Sequence, residues 1–386
     1  MNIEFSGIWP VLYSFFREDG NLDRTAMRYQ VQSCLAQNIQ GLAVLGLATE
    51  VHKLSSDEQC TILEWALEDL QGRLPLAVTV SGPDASTQLQ FAQKASDLGA
   101  NWLILQPPSR RPLSEEECFE HFSEVMNSIQ LPIAIQNAPE YLGVGLSIPK
   151  IVELNQRHSH FKLLKGEGSA VEVEQLVKAL KSRMQIFNGR GGIEQVDSLR
   201  AGCAGLILAP ELVDRQVKIY QFWRDGLTDE AEVLQKEILP MIVFNMQTIP
   251  HLLCYGKRLL ASRLGLTVFD RAPFQGPSVF GLKRIAEFSF FYRVSQALFS
   301  IIFIAIIYQF IESSEVPIYA YLLSIFLVSC LSFIVFRYWI TYMKKGKNIA
   351  REEVISYSTL FKISIPLMFA QSVQFVMAWT DKLMLG

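Results

Sequence analysis

Gly41-Leu-Ala-Val-Leu-Gly-Leu-Ala-Thr-Glu-Val-His-Lys-Leu-Ser-Ser-Asp-Glu58 contains one complete folding unit. Its apolar run, Gly41–Leu45, is continuous rather than alternating, as a strand covered on both faces requires. A turn follows, and then Ser55-Ser-Asp-Glu58, a capping box in which serine and glutamate satisfy each other's orphan N–H groups at the start of a helix over Glu58–Leu70. The same unit recurs outward in both directions. Strands are predicted at Gly7–Tyr13, Leu76–Val80, Trp102–Gln106, Ile133–Gln136, Phe161–Lys165, Gln185–Asn188 and Gly205–Leu208. A second capping box, Ser114-Glu-Glu-Glu117, opens Glu117–Ser128, and Asp84 and Ser147 are candidate caps for two further helices. Eight strands, each followed by a helix within about 250 residues, is the count of a (β/α)8 barrel. An open doubly wound sheet is the alternative, but no G-x-G-x-x-G follows the first strand. Residues from about Thr228 to Phe288 continue in helical pattern and are expected to add helices to the barrel.

Composition supports a folded chain with two unlike parts. Of 386 residues, 50% are hydrophobic and 19% charged, which excludes disorder, and the net charge of −3 argues against a nucleic-acid binder. After Ser289 eight basic residues face five acidic ones, whereas 27 face 33 before it. The expected division is therefore a barrel over 1–288 and a second segment over 289–386. Uncharged runs at 294–311, 316–336 and 363–380 have the length of three transmembrane helices. Basic residues flank the first two, and Glu312-Ser-Ser-Glu315 lies between them, which orients the flanks to the cytoplasm. Met1-Asn-Ile-Glu-Phe carries no signal-peptide pattern, so a cytoplasmic barrel attached to the inner membrane through its tail is expected. The six cysteines form no C-x-x-C, and His158-Ser-His160 reads as a solvated loop in preference to a metal site.

In a barrel of this kind the chemistry gathers at the C-terminal ends of the strands. Lys165 closes the sixth strand, where partial desolvation frees an amine to attack a carbonyl. Gln136-Asn137 closes the fifth, Asn188-Gly-Arg-Gly-Gly192 the seventh, and Gly46-Leu-Ala-Thr-Glu50 the second. An amine, an amide, the carboxylates Glu50 and Glu167, and Arg190 around one mouth suit a small anionic carbonyl compound. The plainer reading is that Glu167 pairs with a surface lysine and that Arg190 braces a loop.

These motifs resemble the dihydrodipicolinate synthase / N-acetylneuraminate lyase superfamily of pyruvate-dependent class I aldolases over about residues 1–288. The resemblance rests on Gly7-Ile-Trp-Pro-Val-Leu-Tyr-Ser-Phe-Phe16 with Asp19-Gly20 and Leu22-Asp23, and on Gly41–Glu50 with Leu54-Ser55 and Glu58. Asn137-Ala-Pro139 with Gly143, Lys165, Gly205-Leu-Ile207, and Gly226 with Glu230-Ala231 complete it. It implies an α/β TIM barrel and a lyase, aldolase or dehydratase in which Lys165 forms a Schiff base with a 2-keto acid or deoxy-keto sugar acid. No cofactor or metal is implied, the partner is the small-molecule substrate, and homo-oligomers are common in the family.

The departures from the family pattern are specific. Leu47 and Ala48 stand where two hydroxyl residues usually hold the keto acid's carboxylate. Gln136 replaces the proton-relaying tyrosine and cannot act as an acid or base. Tyr141 replaces the arginine that reads the second substrate of dihydrodipicolinate synthases. Catalysis is thus expected from Lys165, with Glu167 or a water it orients moving the proton and Gln136 beside it. Leu47, Ala48, Asn137, Tyr141, Gly189, Arg190 and Ile207 are the expected substrate-binding positions, Arg190 taking a carboxylate or phosphate. The alternatives are an eroded barrel that only binds a sugar acid or phosphate, and a passenger on a truncated polysaccharide flippase, which the tail around Leu360–Asp381 resembles.

Overall fold

Every one of the eight short apolar runs becomes a strand in the computed structural model. The structure describes residues 4–109, 113–180 and 183–289, with 302–307, 309, 319, 323–324 and 326–327 beyond them. The strands are β1 (Gly7–Pro10), β2 (Leu42–Val44), β3 (Leu76–Val80), β4 (Trp102–Leu105), β5 (Ile133–Asn137), β6 (Phe161–Gly166), β7 (Gln185–Asn188) and β8 (Gly205–Leu208). They pair in parallel in the order β1-β8-β7-β6-β5-β4-β3-β2. A Val11–Ala43 bridge and the Leu12 N–H to Ala43 carbonyl bond join β1 to β2 and close the barrel. The open-sheet alternative is thereby excluded. β1 and β2 are shorter than the sequence predicts; past Pro10 the pairing continues only as the Val11–Ala43 bridge and the bonds of the Val11 and Leu12 N–H groups.

Closure also explains the continuous apolar runs. Leu42, Ala43 and Val44 are fully buried, as are all four residues of β4. Inside the barrel Trp9 meets Trp102 edge-on at 5.2 Å, and Trp102 stacks on Phe187 at 6.2 Å. A large aromatic side chain buried in this way contributes about 1.5–3 kcal/mol through the area it removes from water. Gly41 makes room for the cluster: a Cβ there would sit 2.1 Å from the Trp9 ring.

The helices are α1 (Arg24–Leu35), α2 (Ser56–Leu70), α3 (Ala85–Leu98), α4 (Glu115–Met126), α5 (Pro139–Leu142), α6 (Ile148–Arg157), α7 (Ala170–Leu180), α8 (Gln195–Arg200), α9 (Val213–Arg224), α10 (Thr228–Asn245), α11 (Ile249–His251), α12 (Lys257–Leu264) and α13 (Val279–Ser289). Both capping boxes form, Ser55 with Glu58 and Ser114 with Glu117, and Asp84 accepts from the Thr87 N–H. Ser147 precedes α6 but its side chain does not cap it; its N–H goes instead to Glu115. His158 is a further correction. It is buried and bonded to the Ser123 hydroxyl at 2.9 Å, while Ser159 beside it is exposed and His160 half-buried, so only part of the expected solvated loop is solvated. Among the described residues no cluster of metal-ligating side chains forms.

The chain divides into two units, Met1–Phe290 and Phe291–Gly386. Among the described residues no single helix is long and apolar enough to cross a membrane. α10 with the helical stretch Ile249–Leu264 has the composition of a span only when the two are taken together, and they are bent by 107°. Their apolar side chains, including Leu234, Ile238, Met241, Ile242 and Leu259, form a second buried core. The run at 294–311 is described only at 302–307 and 309, and that at 316–336 only at 319, 323–324 and 326–327. The third run, 363–380, lies wholly outside the described residues. A span needs about 20 consecutive apolar helical residues, so the expected membrane attachment is without structural support.

Candidate active site

Lys165 lies next to last in β6, in register with Gln136 of β5. Both side chains emerge where the barrel opens, and both are buried, Lys165 at 5% exposure and Gln136 at 0%. Glu167 follows two residues after the lysine, and its N–H bonds to the Asn137 carbonyl, which brings its carboxylate back over the strand ends. The Lys165 ammonium lies 2.8 Å from Glu167 Oε1. Gln136 Nε2 donates to the same oxygen at 2.6 Å, and Gln106 Nε2 donates to Gln136 Oε1 at 2.8 Å. The carboxylate accepts only, so Gln136 must turn its amide nitrogen toward Glu167 and its oxygen toward Gln106. Two strand ends thus meet on one carboxylate, and a third braces Gln136 from behind.

A buried ion pair is costly to desolvate and adds little stability by itself. Lys165 and Glu167 are suited instead to exchanging a proton at 2.8 Å, which releases the neutral amine as a nucleophile. Gln136 stays a hydrogen-bond donor throughout and holds the carboxylate in place. Glycine is required opposite: a Cβ on Gly189 would lie 2.8 Å from Glu167 Cδ. The next residue, Arg190, pairs with Glu194 at 3.1 Å. Burial, followed by the nearby Glu167 charge, raises the Tyr141 pKa, and the neighbouring Arg190 opposes the rise. Gln136, Lys165, Glu167, Gly189, Arg190 and Tyr141 therefore form one connected group, and Glu167 does not pair with a surface lysine.

The other expected positions are used differently. Asn137 spends both ends of its amide on Leu146, donating to the carbonyl at 3.0 Å and accepting from the N–H at 2.7 Å. Leu47 and Ala48 form a tight turn closed by Thr49 N–H to Gly46 O and Glu50 N–H to Leu47 O. Ile207 is buried in β8 opposite Trp9. Their apolar side chains make no hydrogen bond to the Lys165 group.

Sequence reasoning missed Gln106, although a polar residue ending the apolar run Trp102–Leu105 is the same signal that marks Gln136 and Lys165. Glu50, expected beside Lys165, instead belongs to a second buried cluster beyond the ends of β8, β1 and β2 whose other members sequence reasoning missed. Glu50 accepts from Lys53 at 2.5 Å and from Lys257 on α12. Tyr13 donates to Glu211 at 2.9 Å. Burial pushes the Lys257 pKa down against the opposing pull of Glu50, and pushes those of Glu211 and Tyr13 up. The partners are 207 and 198 residues apart in sequence, and no local pattern announces them.

The sequence profile of the dihydrodipicolinate synthetase family matches residues 4–276, which include every residue of the site. The chain belongs to this family. Within the family, similarity is spread over several activities. The chain is 26% identical over 246 residues to a probable 2-dehydro-3-deoxy-D-pentonate aldolase, YjhH, of Escherichia coli K12, covering 62% of this chain and 81% of that protein. It is 28% identical over 244 residues to L-2-keto-3-deoxyarabonate dehydratase of Azospirillum brasilense, covering 61% and 78%. A putative dihydrodipicolinate synthetase from Pseudomonas aeruginosa superposes with a TM-score of 0.70 at 25% identity, over 74% of this chain and 98% of that one. The relatives are aldolases, dehydratases and synthases, so the family-level chemistry is that of a Schiff-base lyase. The match stops short of the tail, and the tail's resemblance to a flippase is not shown by these comparisons.

Proposed function

We propose that the barrel is a lyase that takes a 2-keto acid, or a deoxy-keto sugar acid, as an imine on Lys165. The observation that carries this reading is the 2.8 Å contact between the Lys165 amine and the Glu167 carboxylate at the end of β6. Glu167 accepts a proton from the ammonium, and the amine adds to the C2 carbonyl. Loss of water from the carbinolamine gives an iminium that draws electrons from C3. When a base takes the proton of a C4 hydroxyl, the C3–C4 bond breaks, an aldehyde leaves, and an enamine remains. Protonation at C3 and hydrolysis then restore the lysine and release the shortened keto acid. When the base takes a C3 proton instead, the C4 hydroxyl leaves as water. Glu167 is the group in reach for these transfers, because Gln136 holds no exchangeable charge. Names among the relatives include both an aldolase and a dehydratase of 2-keto-3-deoxy acids, which supports this substrate class.

Borohydride reduction in the presence of pyruvate and a panel of 2-keto acids, followed by peptide mass mapping, tests the reading. An adduct confined to Lys165 is expected. A folded barrel with no adduct on Lys165 would overturn it and favour a barrel that binds sugar acids without turning them over, as the replacement of tyrosine by Gln136 would allow.

A further inference from the structure

Beyond the Lys165 group, the turn after β7 is built in an unusual way. Arg190, Gly191 and Gly192 are three successive residues in the left-handed region, at φ of 50°, 61° and 80°. For glycine this is free, but for an arginine it costs about 1–2 kcal/mol. The turn is held from outside, since Gln216 donates to the Gly191 carbonyl at 2.9 Å and Gln235 to that of Gly192 at 3.0 Å. Arg190 is therefore presented from a braced frame. Its Nη1 pairs with Glu194, while its Nε is buried and has no hydrogen-bond partner.

We propose that Arg190 and Tyr141 form a subsite for a second anionic group, a carboxylate or a phosphate monoester, at the end of the substrate remote from the carbonyl taken by Lys165. This deepens the Schiff-base reading and rests on it. With Nη1 committed to Glu194, the edge carrying Nε–H and Nη2–H remains, and it matches two oxygens of one oxyanion. Glu194 is only partly buried and pairs at i,i+4, a contact that orients the guanidinium more than it neutralises it. Tyr141 lies beside Arg190, whose charge opposes the burial that raises the phenol's pKa. Its phenol O–H is a second donor for the same anion. The subsite adjoins the reacting end, because Gly189 packs directly on Glu167 and Tyr141 feels the Glu167 charge. A neutral-ended sugar acid would leave the buried Nε unpaired, which is the physical basis for selecting against it.

The test uses the full chain and measures the concentration giving half-maximal borohydride trapping at Lys165. Matched pairs are compared: a 2-keto-3-deoxy hexonate against its 6-phosphate, and 2-ketopentanoate against 2-ketoglutarate. One anionic-ended member is expected to trap at a concentration about tenfold lower than its neutral counterpart, and which pair shows it distinguishes phosphate from carboxylate. Arg190→Met should bring that ratio close to one, and Tyr141→Phe should reduce it by a smaller factor. Equal trapping of neutral and anionic members in the wild type, or a preference that survives Arg190→Met, would overturn the subsite. Absence of any adduct, pyruvate included, would instead sink the parent reading. Calorimetric titration of the phosphate-ended acid into wild type and Arg190→Met then still decides the subsite, weaker binding by the variant being the supporting result and equal or undetectable binding by both the opposing one.

Discussion

Two lysines are buried beyond the strand ends of this barrel, and the structure treats them in opposite ways. Lys165 stands on the β4–β5–β6 side, facing one carboxylate that it shares with the amide of Gln136. Lys257 stands on the β8–β1–β2 side, at 1% exposure, on a carboxylate that also holds Lys53. Its ammonium lies 5.5 Å from the Phe16 ring, and α12, which follows the barrel in sequence, carries it into place. Burial by itself therefore does not nominate a nucleophile. What separates the two is connectivity. Lys165 shares a carboxylate with Gln136 and packs, through Glu167, against Gly189 beside Arg190, whereas Lys257 anchors an added helix to the turn after β2.

The sharpest way to break this contrast is to exchange the fates of the two lysines. Lys165→Met should abolish borohydride trapping and lower turnover by at least about a thousandfold, and it should also cost up to about 3–5 kcal/mol of stability, because Glu167 is left buried with only Gln136 as partner. Lys257→Met should instead keep the adduct on Lys165 while lowering stability in denaturant titration. The loss should be about 3 kcal/mol or less, because Lys53 still partners Glu50. An adduct that moved to Lys257, or a Lys257 variant unable to trap, would end the distinction.

The next largest effect concerns the proton. Glu167→Gln should reduce kcat by about 10²–10⁴-fold, the usual range for losing a general base. Steady-state kinetics on a deoxy-keto acid would read it, and an unchanged kcat would move the base elsewhere. A smaller effect is expected from Gly189→Ala. The added methyl carbon would stand 2.8 Å from Glu167 Cδ, so the carboxylate must shift away from Lys165. A fall in kcat with little change in melting temperature is the outcome that fits.

The smallest effect is a pH control on α4 and in the turn before β6. His121, His158 and His160 all have pKa values lowered by burial. The unfolded chain then binds protons more readily than the folded one, so stability is full above about pH 6.5 and falls as pH drops below it. Melting temperatures measured from pH 8 to 5.5 should decline, and His158→Gln should flatten the decline. A flat profile in the wild type would remove these histidines from the account.

Much of the fold was legible in order. β3, β7 and β8 have the predicted bounds, and the capping boxes at Ser55 and Ser114 form as written. These signals are local: a run of apolar residues, or a serine three residues before a glutamate, acts through neighbours in the chain. Lys165, Gln136 and Glu167 were legible for a related reason, since polar residues closing apolar strands must face the mouth once a barrel is assumed. Asn137 carried the same signal, yet its side chain serves Leu146, and nothing in the sequence distinguishes the two uses.

Patterns local to the chain set the eight strand–helix units, their polar ends and, through the motifs, the family. The tertiary structure alone decided that Gln106 feeds Gln136, that Gly189 yields space to Glu167, and that Lys257 reaches Glu50 across 207 residues. The physical reason is range. Secondary structure follows from the spacing of side chains along a few turns of chain, but a hydrogen bond between strand ends exists only after the sheet has closed and set which ends are neighbours.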